Sequence, residues 1–275
     1  MQPPQPILVV DLFPELLDEL LSMLGSLSAE EWQKPTVCPG WCVQDVALHL
    51  LGVEVGNLSR RRDGHAVAAS ITNWSELVTW LNDFNEAWVQ AARRMSPRLL
   101  IDLLQVTGLQ MYTFFRDLDP YALGGAVEWA GSEPAPVWLD LAREYTERWC
   151  HQQQIRDAVG QPGLTQPRYL APVLATFMRA LPQTFRATPA AEGTVVTLTI
   201  RGVSGGQWSV RQEAGTWQLY EGASDRCDAE VLVDEGMAWR LCTRGLSQGQ
   251  VRGQVMLRGD QVLASKLCEI VSIIA

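Results

Sequence analysis

Near Ala187 the 275-residue chain changes its hydrophobic pattern, and this change limits its possible folds more than any other feature. Up to about residue 185, apolar residues recur at intervals of three and four, the spacing of helices buried on one side. The first such stretch carries Leu12, Leu16, Leu17, Leu20, Leu24 and Leu27. A second predicted helix runs from Cys42 to about Arg61, behind the Pro39-Gly40 turn. A third spans Ser75 to about Arg94 with Asn73 as a cap, and a fourth spans Pro97 to Arg116. A loop rich in Gly, Pro and Ser, Asp119 to Pro136, precedes a long helix from Val137 to Val159 that Gly160 and Pro162 close. One more helix covers roughly Arg168 to Phe185.

Beyond Ala187 the run Thr194 to Ile200 is β-branched and alternating, and Gly205-Gly206 reads as a turn. Further strand candidates are Trp208–Arg211, Trp217–Tyr220, Ala229–Val233 and a short piece near Gln254–Leu257. Helices are expected at Glu235–Thr243 and about Asp260–Ile273. The expected fold is therefore α+β, with a helical domain over residues 1–187 and a small α+β domain over residues 188–275.

Composition narrows the function. Hydrophobic residues make up 47% and charged residues 19%, a globular balance able to supply a core. Lys and Arg number 22 against 31 Asp and Glu, a net charge of −9, which removes the electrostatic footprint of a nucleic-acid binder. It equally disfavours a basic face for anionic membranes. The apolar stretch Ile7 to Leu27 contains Asp11, Glu15, Asp18 and Glu19 and follows no basic residue, which argues against a signal peptide or a membrane span. Six cysteines, at 38, 42, 150, 227, 242 and 268, form no CxxC pair. Reduced thiols in a cytoplasmic protein are the expectation.

Only three histidines are present, at 49, 65 and 151. His65 lies in a polar segment after three arginines and reads as solvated. His49 shares its helical face with Cys42, Asp45, Val46, Gly52, Val53 and Gly56, mostly small or apolar, so it is expected to point inward. Glu147 and His151, four apart, share a face of the long helix with Asp140, Glu144 and Gln154, opposite Trp138, Ala142, Tyr145 and Trp149. Two readings of that polar stripe are open. It is a solvated surface, or it faces a cavity where His49, Glu147 and His151 hold a metal with an open coordination position, Asp45 and Gln154 orienting the imidazoles from behind. Cys38 and Cys42 have no histidine nearby in sequence and read as packed thiols. There is no Gly-rich phosphate loop and no GxSxG elbow.

The segment Cys38 to Leu50, with its Cys-Pro-Gly-Trp start and His49, resembles the second-helix signature of the maleylpyruvate isomerase N-terminal family, one of the DinB-like bundles. Glu147 to Gly160 resembles that family's later metal-binding helix, and Ser28 to Trp32 also fits. Gly206 to Trp208, Asp228 to Val231 and Arg252 to Val255 are similar to the small sterol-carrier-like domain that often follows. The resemblance implies an up-down four-helix bundle with His49, Glu147 and His151 as ligands of a divalent metal, zinc by default. It also implies a low-molecular-weight thiol, of the mycothiol or bacillithiol type, as co-substrate. Gln154 stands where such chains often carry an acidic residue. The implied activity is thiol S-transfer to an electrophilic small molecule, or its cis–trans isomerisation, by a monomer or homodimer that needs neither nucleic acid nor membrane. The other reading left open is a metal-stabilised module that binds a small hydrophobic ligand without catalysis. The sequence assigns no general base.

Overall fold

The computed structural model describes residues 1–65, 74–243, 249 and 253–272. It divides into two compact units, neither contiguous in sequence. One comprises residues 10–118 and 148–163, the other residues 1–9, 119–147 and 164–275. The divide expected near residue 188 is a change of secondary structure, whereas the compact units follow the packing.

The first unit is helical. Its elements are α1 (Phe13–Ser26), α2 (Val43–Asn57), α3 (Trp74–Ala92), α4 (Pro97–Arg116) and the C-terminal part of α5 (Val137–Val159). Helix α2 is buried nearly all round, through Val43, Val46, Ala47, Leu48, Leu50 and Leu51 and also Asp45, His49, Glu54 and Asn57. A helix of that kind sits at the centre of a unit. Around it the core draws Leu20, Met23 and Leu24 from α1, Leu100 and Leu104 from α4, and Ile155 and Val159 from α5. Ser96 caps α4 by accepting from the Leu99 amide at 3.3 Å, and Pro97 takes the first helical position.

The second unit is built on a five-stranded sheet. Its strands are β3 (Val195–Arg201), β4 (Gly206–Glu213), β5 (Thr216–Glu221), β6 (Ala229–Asp234) and β7 (Met256–Gly259), in the order β5-β4-β3-β6-β7. The central β3 pairs antiparallel with β4, Val195 opposite Arg211, and parallel with β6, Val196 opposite Ala229. The β4–β5 hairpin turns through Ala214 (φ 47) and Gly215 (φ 83), the two positive φ values that a tight hairpin needs. The unit also holds helices α6 (Pro167–Met178), α7 (Leu181–Phe185), α8 (Glu235–Cys242) and α9 (Gln261–Leu267), with α7 on β5, α8 on β3 and β6, and α9 on β6 and β7. Trp217 ties α7 to the sheet, its ring 4.9 Å from that of Phe185 and its indole N–H donating to the Thr188 carbonyl at 3.0 Å. Gly259 ends β7 at φ 71, where a Cβ would lie 2.2 Å from the Asp228 carbonyl oxygen.

Several expectations are corrected. The helix expected over Arg168–Phe185 is two, because Pro182 offers no amide hydrogen and its ring would meet the carbonyl of residue 178. The loop Asp119–Pro136 holds a two-stranded ribbon, β1 (Leu123–Ala126) with β2 (Pro134–Pro136). Helix α2 ends at Asn57 and continues as a wider turn over Leu58–Arg62. The last helix closes at Leu267 rather than Ile273, and Ile273 and the expected cap Asn73 lie outside the described residues. Among the described residues, no helix is long and apolar enough to cross a membrane.

Candidate metal centre

The chain enters α2 through a tight turn. Cys38-Pro39-Gly40-Trp41 has Pro at the second position and Gly40 at φ 80 in the third, and Trp41 N–H donates to the Cys38 carbonyl at 3.1 Å. That is type II turn chemistry, which excludes most side chains from the glycine position. Thr36 braces the turn, its hydroxyl accepting from Cys38 N–H at 3.1 Å and donating to the Trp41 carbonyl at 2.9 Å. Asp45, in the first turn of α2, accepts from Cys42 N–H at 3.1 Å and so ties down an amide at the helix start. Its carboxylate also receives both Arg93 Nε and Nη2, at 2.8 and 3.0 Å. Burial pushes the Asp45 carboxyl up, but the Arg93 and Cys42 hydrogen bonds outweigh it and hold the group below its ordinary range.

One turn beyond Asp45 stands His49, 4% exposed, and the inward direction expected of it is found. The Trp41 ring lies 5.2 Å from the His49 ring, and Trp41 is fixed by donating to Glu86 at 2.7 Å. The polar stripe of α5 is not a solvated face. Glu144, His151 and Gln154 of the stripe are buried, as are Tyr145 and Trp149 opposite them and Gln152, Gln153 and Arg156 on the Trp149 side. The helix is held along its length. Gln152 donates to the Leu16 carbonyl at 3.0 Å, Arg156 bonds the Glu19 carboxylate at 3.0 Å, and Arg143 bonds Asp140 and Glu144. Burial opposes the Arg143 charge, but Glu144 and Asp140, with Glu147 one turn further on, raise its pKa above the ordinary arginine value.

On these two helices His49, Glu147 and His151 converge, their ligand atoms within 4.8 Å of one another. The imidazoles meet edge to face, centroids 4.7 Å apart and planes at 73°. Three atoms held on one zinc-like ion would stand roughly 3.4 Å apart, a separation that falls within the spread found here. Two imidazole nitrogens and one carboxylate suit a borderline divalent metal.

The other residues singled out in the sequence fall as follows. Gln154 lies behind His151, its Oε1 2.7 Å from His151 Nδ1. Asp45 does not reach the imidazoles and acts on the helix that carries His49. His65 is exposed and outside the cluster, its amide bonded to the Ser59 carbonyl. Cys42 donates to Asp45 at 3.3 Å, and burial, the largest cause, raises its pKa. Cys38, read as a packed thiol, is half-buried and makes one specific side-chain bond. Its Sγ donates at 3.2 Å to the same Gln154 Oε1 that faces His151. Cys38 and Trp41 are the site residues that sequence reasoning missed; their signal was the Cys-Pro-Gly-Trp turn directly ahead of the His49 helix.

Comparison with known proteins places these features. A family model described as the mycothiol maleylpyruvate isomerase N-terminal domain matches residues 13–156. An uncharacterized protein of Mycobacterium tuberculosis, found in two strains, is 28% identical over 254 residues, covering 86% of this chain and 94% of its own length. The crystal structure of the mycothiol-dependent maleylpyruvate isomerase aligns over 90% of both chains with a TM-score of 0.55 and 13% identity, a likeness of fold. The sterol carrier protein 2 like 2 of Aedes aegypti is 27% identical over 31% of this chain and 81% of its own, with a TM-score of 0.26.

Proposed function

Because the chain belongs to the mycothiol maleylpyruvate isomerase N-terminal family, through residues 13–156, we propose that it is a metal-dependent enzyme working with a low-molecular-weight thiol. The thiol is of the mycothiol or bacillithiol type, and the second substrate is an electrophilic small molecule that undergoes S-transfer or cis–trans isomerisation. The observation that carries this reading is the convergence of His49, Glu147 and His151. A donor set of two histidines and one glutamate leaves a coordination position free for a reactant, the pattern of reactive rather than structural zinc.

In this reading His49 and His151 present neutral imidazole nitrogens, and the Glu147 carboxylate offsets part of the dication's charge. A bound divalent ion would lower the pKa of a coordinated thiol and supply a thiolate at neutral pH. The protein's share is positional. Trp41 covers one side of His49, Gln154 holds His151 by its second nitrogen, and the buried walls of α2 and α5 keep water from the imidazoles.

The test combines metal analysis with turnover. The chain is expected to hold about one divalent ion and to consume an electrophile such as maleylpyruvate or a chloro-dinitroarene only when mycothiol or bacillithiol is supplied. Turnover that persists without thiol, or after chelation to below a tenth of an ion per chain, rejects the proposal.

A further inference from the structure

The relation of Cys38 to Gln154 goes beyond this assignment, although its bearing on metal binding rests on the ligand reading above. A glutamine amide has two faces of opposite hydrogen-bonding character, an oxygen that only accepts and a nitrogen that only donates. A carboxylate has no such asymmetry, since both of its oxygens accept. A glutamine behind a ligand histidine therefore supports that histidine in two alternative ways, and something must select one.

Cys38 makes the selection. A thiol is a weak donor and a still poorer partner for an N–H. With its Sγ 3.2 Å from the Gln154 amide, it bonds well only when Oε1 faces it. The same Oε1 lies 2.7 Å from His151 Nδ1. Carbonyl oxygen carries two lone pairs and accepts from both, so Nδ1 carries the proton and Nε2 is left with its lone pair free to bind a metal. With the amide reversed, its NH2 would face Nδ1, place the lone pair there and put the proton on Nε2. Cys38 is itself held in place, its amide bonded to Thr36 and its carbonyl to Trp41 in the Gly40 turn. Gln154 is 5% exposed, which leaves water little access to satisfy a reversed amide.

We propose that Cys38 is a positioning residue which fixes the Gln154 amide and thereby the tautomer of His151, making a neutral glutamine serve where a carboxylate would need no such help. The juxtaposition joins residues 116 apart in sequence.

The test is a double-mutant cycle with two readouts. Cys38→Ala and Cys38→Ser are each made with Gln154 retained and with Gln154→Glu. Nitrogen-15 NMR of the metal-free chain at about pH 8, where an ordinary imidazole is neutral, reports which ring nitrogen of His151 bears the proton. Zinc affinity is measured by competition with a chromophoric chelator. The wild type is expected to show one Nδ1–H tautomer. Cys38→Ala should introduce the second tautomer and weaken zinc on the order of 5-fold, toward the low end of what groups behind a ligand contribute. Cys38→Ser, whose hydroxyl accepts as readily as it donates and so permits either amide face, should recover the single tautomer and the affinity only in part, and in the Gln154→Glu background Cys38→Ala should change neither. An unchanged tautomer in Cys38→Ala, or an equal loss in both backgrounds, overturns the proposal. Because the tautomer is read without metal, a wild type that binds no zinc would reject the ligand assignment while the orientation result is still decided.

Discussion

Two polar clusters lie on the same pair of helices and differ in what they contain. His49 and Glu54 are both on α2, and His151 and Arg148 are both on α5. At one cluster the Glu54 carboxylate accepts from the Thr107 hydroxyl at 2.5 Å, and Arg148 Nε lies 3.9 Å from its other oxygen. The Arg148 guanidinium also covers the rings of Phe13 and Phe115, at 5.6 and 5.9 Å. That cluster carries its own cation. The other consists of two imidazoles and a carboxylate, all electron-pair donors. Buried anionic groups need a positive partner. The first cluster holds a cation within the chain; in the reading proposed above, the donor set of the second would be completed by a divalent ion, with Arg143 one turn from Glu147.

The largest effect should follow from breaking the donor set. His151→Ala and Glu147→Ala are each expected to abolish stoichiometric metal binding, weakening it by more than the roughly 100-fold at which outer partners saturate. Helical content should stay near wild type, because α5 is anchored elsewhere by Gln152 and Arg156. Elemental analysis and circular dichroism read the two halves of this prediction. Equal metal content in wild type and both variants would remove the distinction between the clusters.

The reverse pattern is expected at the other cluster. Arg148→Met removes a cation from beside the buried Glu54 carboxylate and should cost about 3 kcal/mol of stability in urea unfolding. Metal content should not change. Combining it with Glu54→Gln removes the buried carboxylate charge and should recover most of the loss, since a matched apolar or neutral pair replaces a buried ion pair at little cost. A variant that keeps its stability but loses its metal would show that the clusters are coupled rather than separate.

These contrasts were only partly legible in the sequence. Helices α4 and α5 could be bounded because Pro97 opens one and Gly160 with Pro162 closes the other. The break at Pro182 was hidden by apolar spacing that continues across it. The β1–β2 ribbon was invisible because Leu123-Gly-Gly-Ala126 has no alternation. His49 could be turned inward from the small and apolar residues beside it. The α5 stripe could not be assigned, because a polar helical face has the same period whether it meets water or other buried polar groups. Its burial depends on tertiary packing, as does the Cys38–Gln154 bond, and neither leaves a local trace.

The smallest effect concerns Asp45, a third buried polar group of α2, which the chain satisfies through Arg93 and the helix N-terminus. Its carboxyl pKa is held below the unfolded value of about 3.9. A depressed acid contributes stability that is fully present above the unfolded pKa and is lost as pH falls through the folded one. Asp45→Asn should therefore cost about 1 kcal/mol near neutrality, the usual value of a helix-start bond. The gap between variant and wild type should stay constant down to about pH 5 and narrow below pH 4, closing only as pH falls through the depressed folded pKa and Asp45 is protonated in the folded chain as well. Urea midpoints from pH 3 to pH 7 measure it. A gap independent of pH would mean that Asp45 acts by shape rather than by charge. Asp45 would then no longer stand with Glu54 as an anion neutralised from within, leaving Glu54 alone against the donor set of the proposed metal centre.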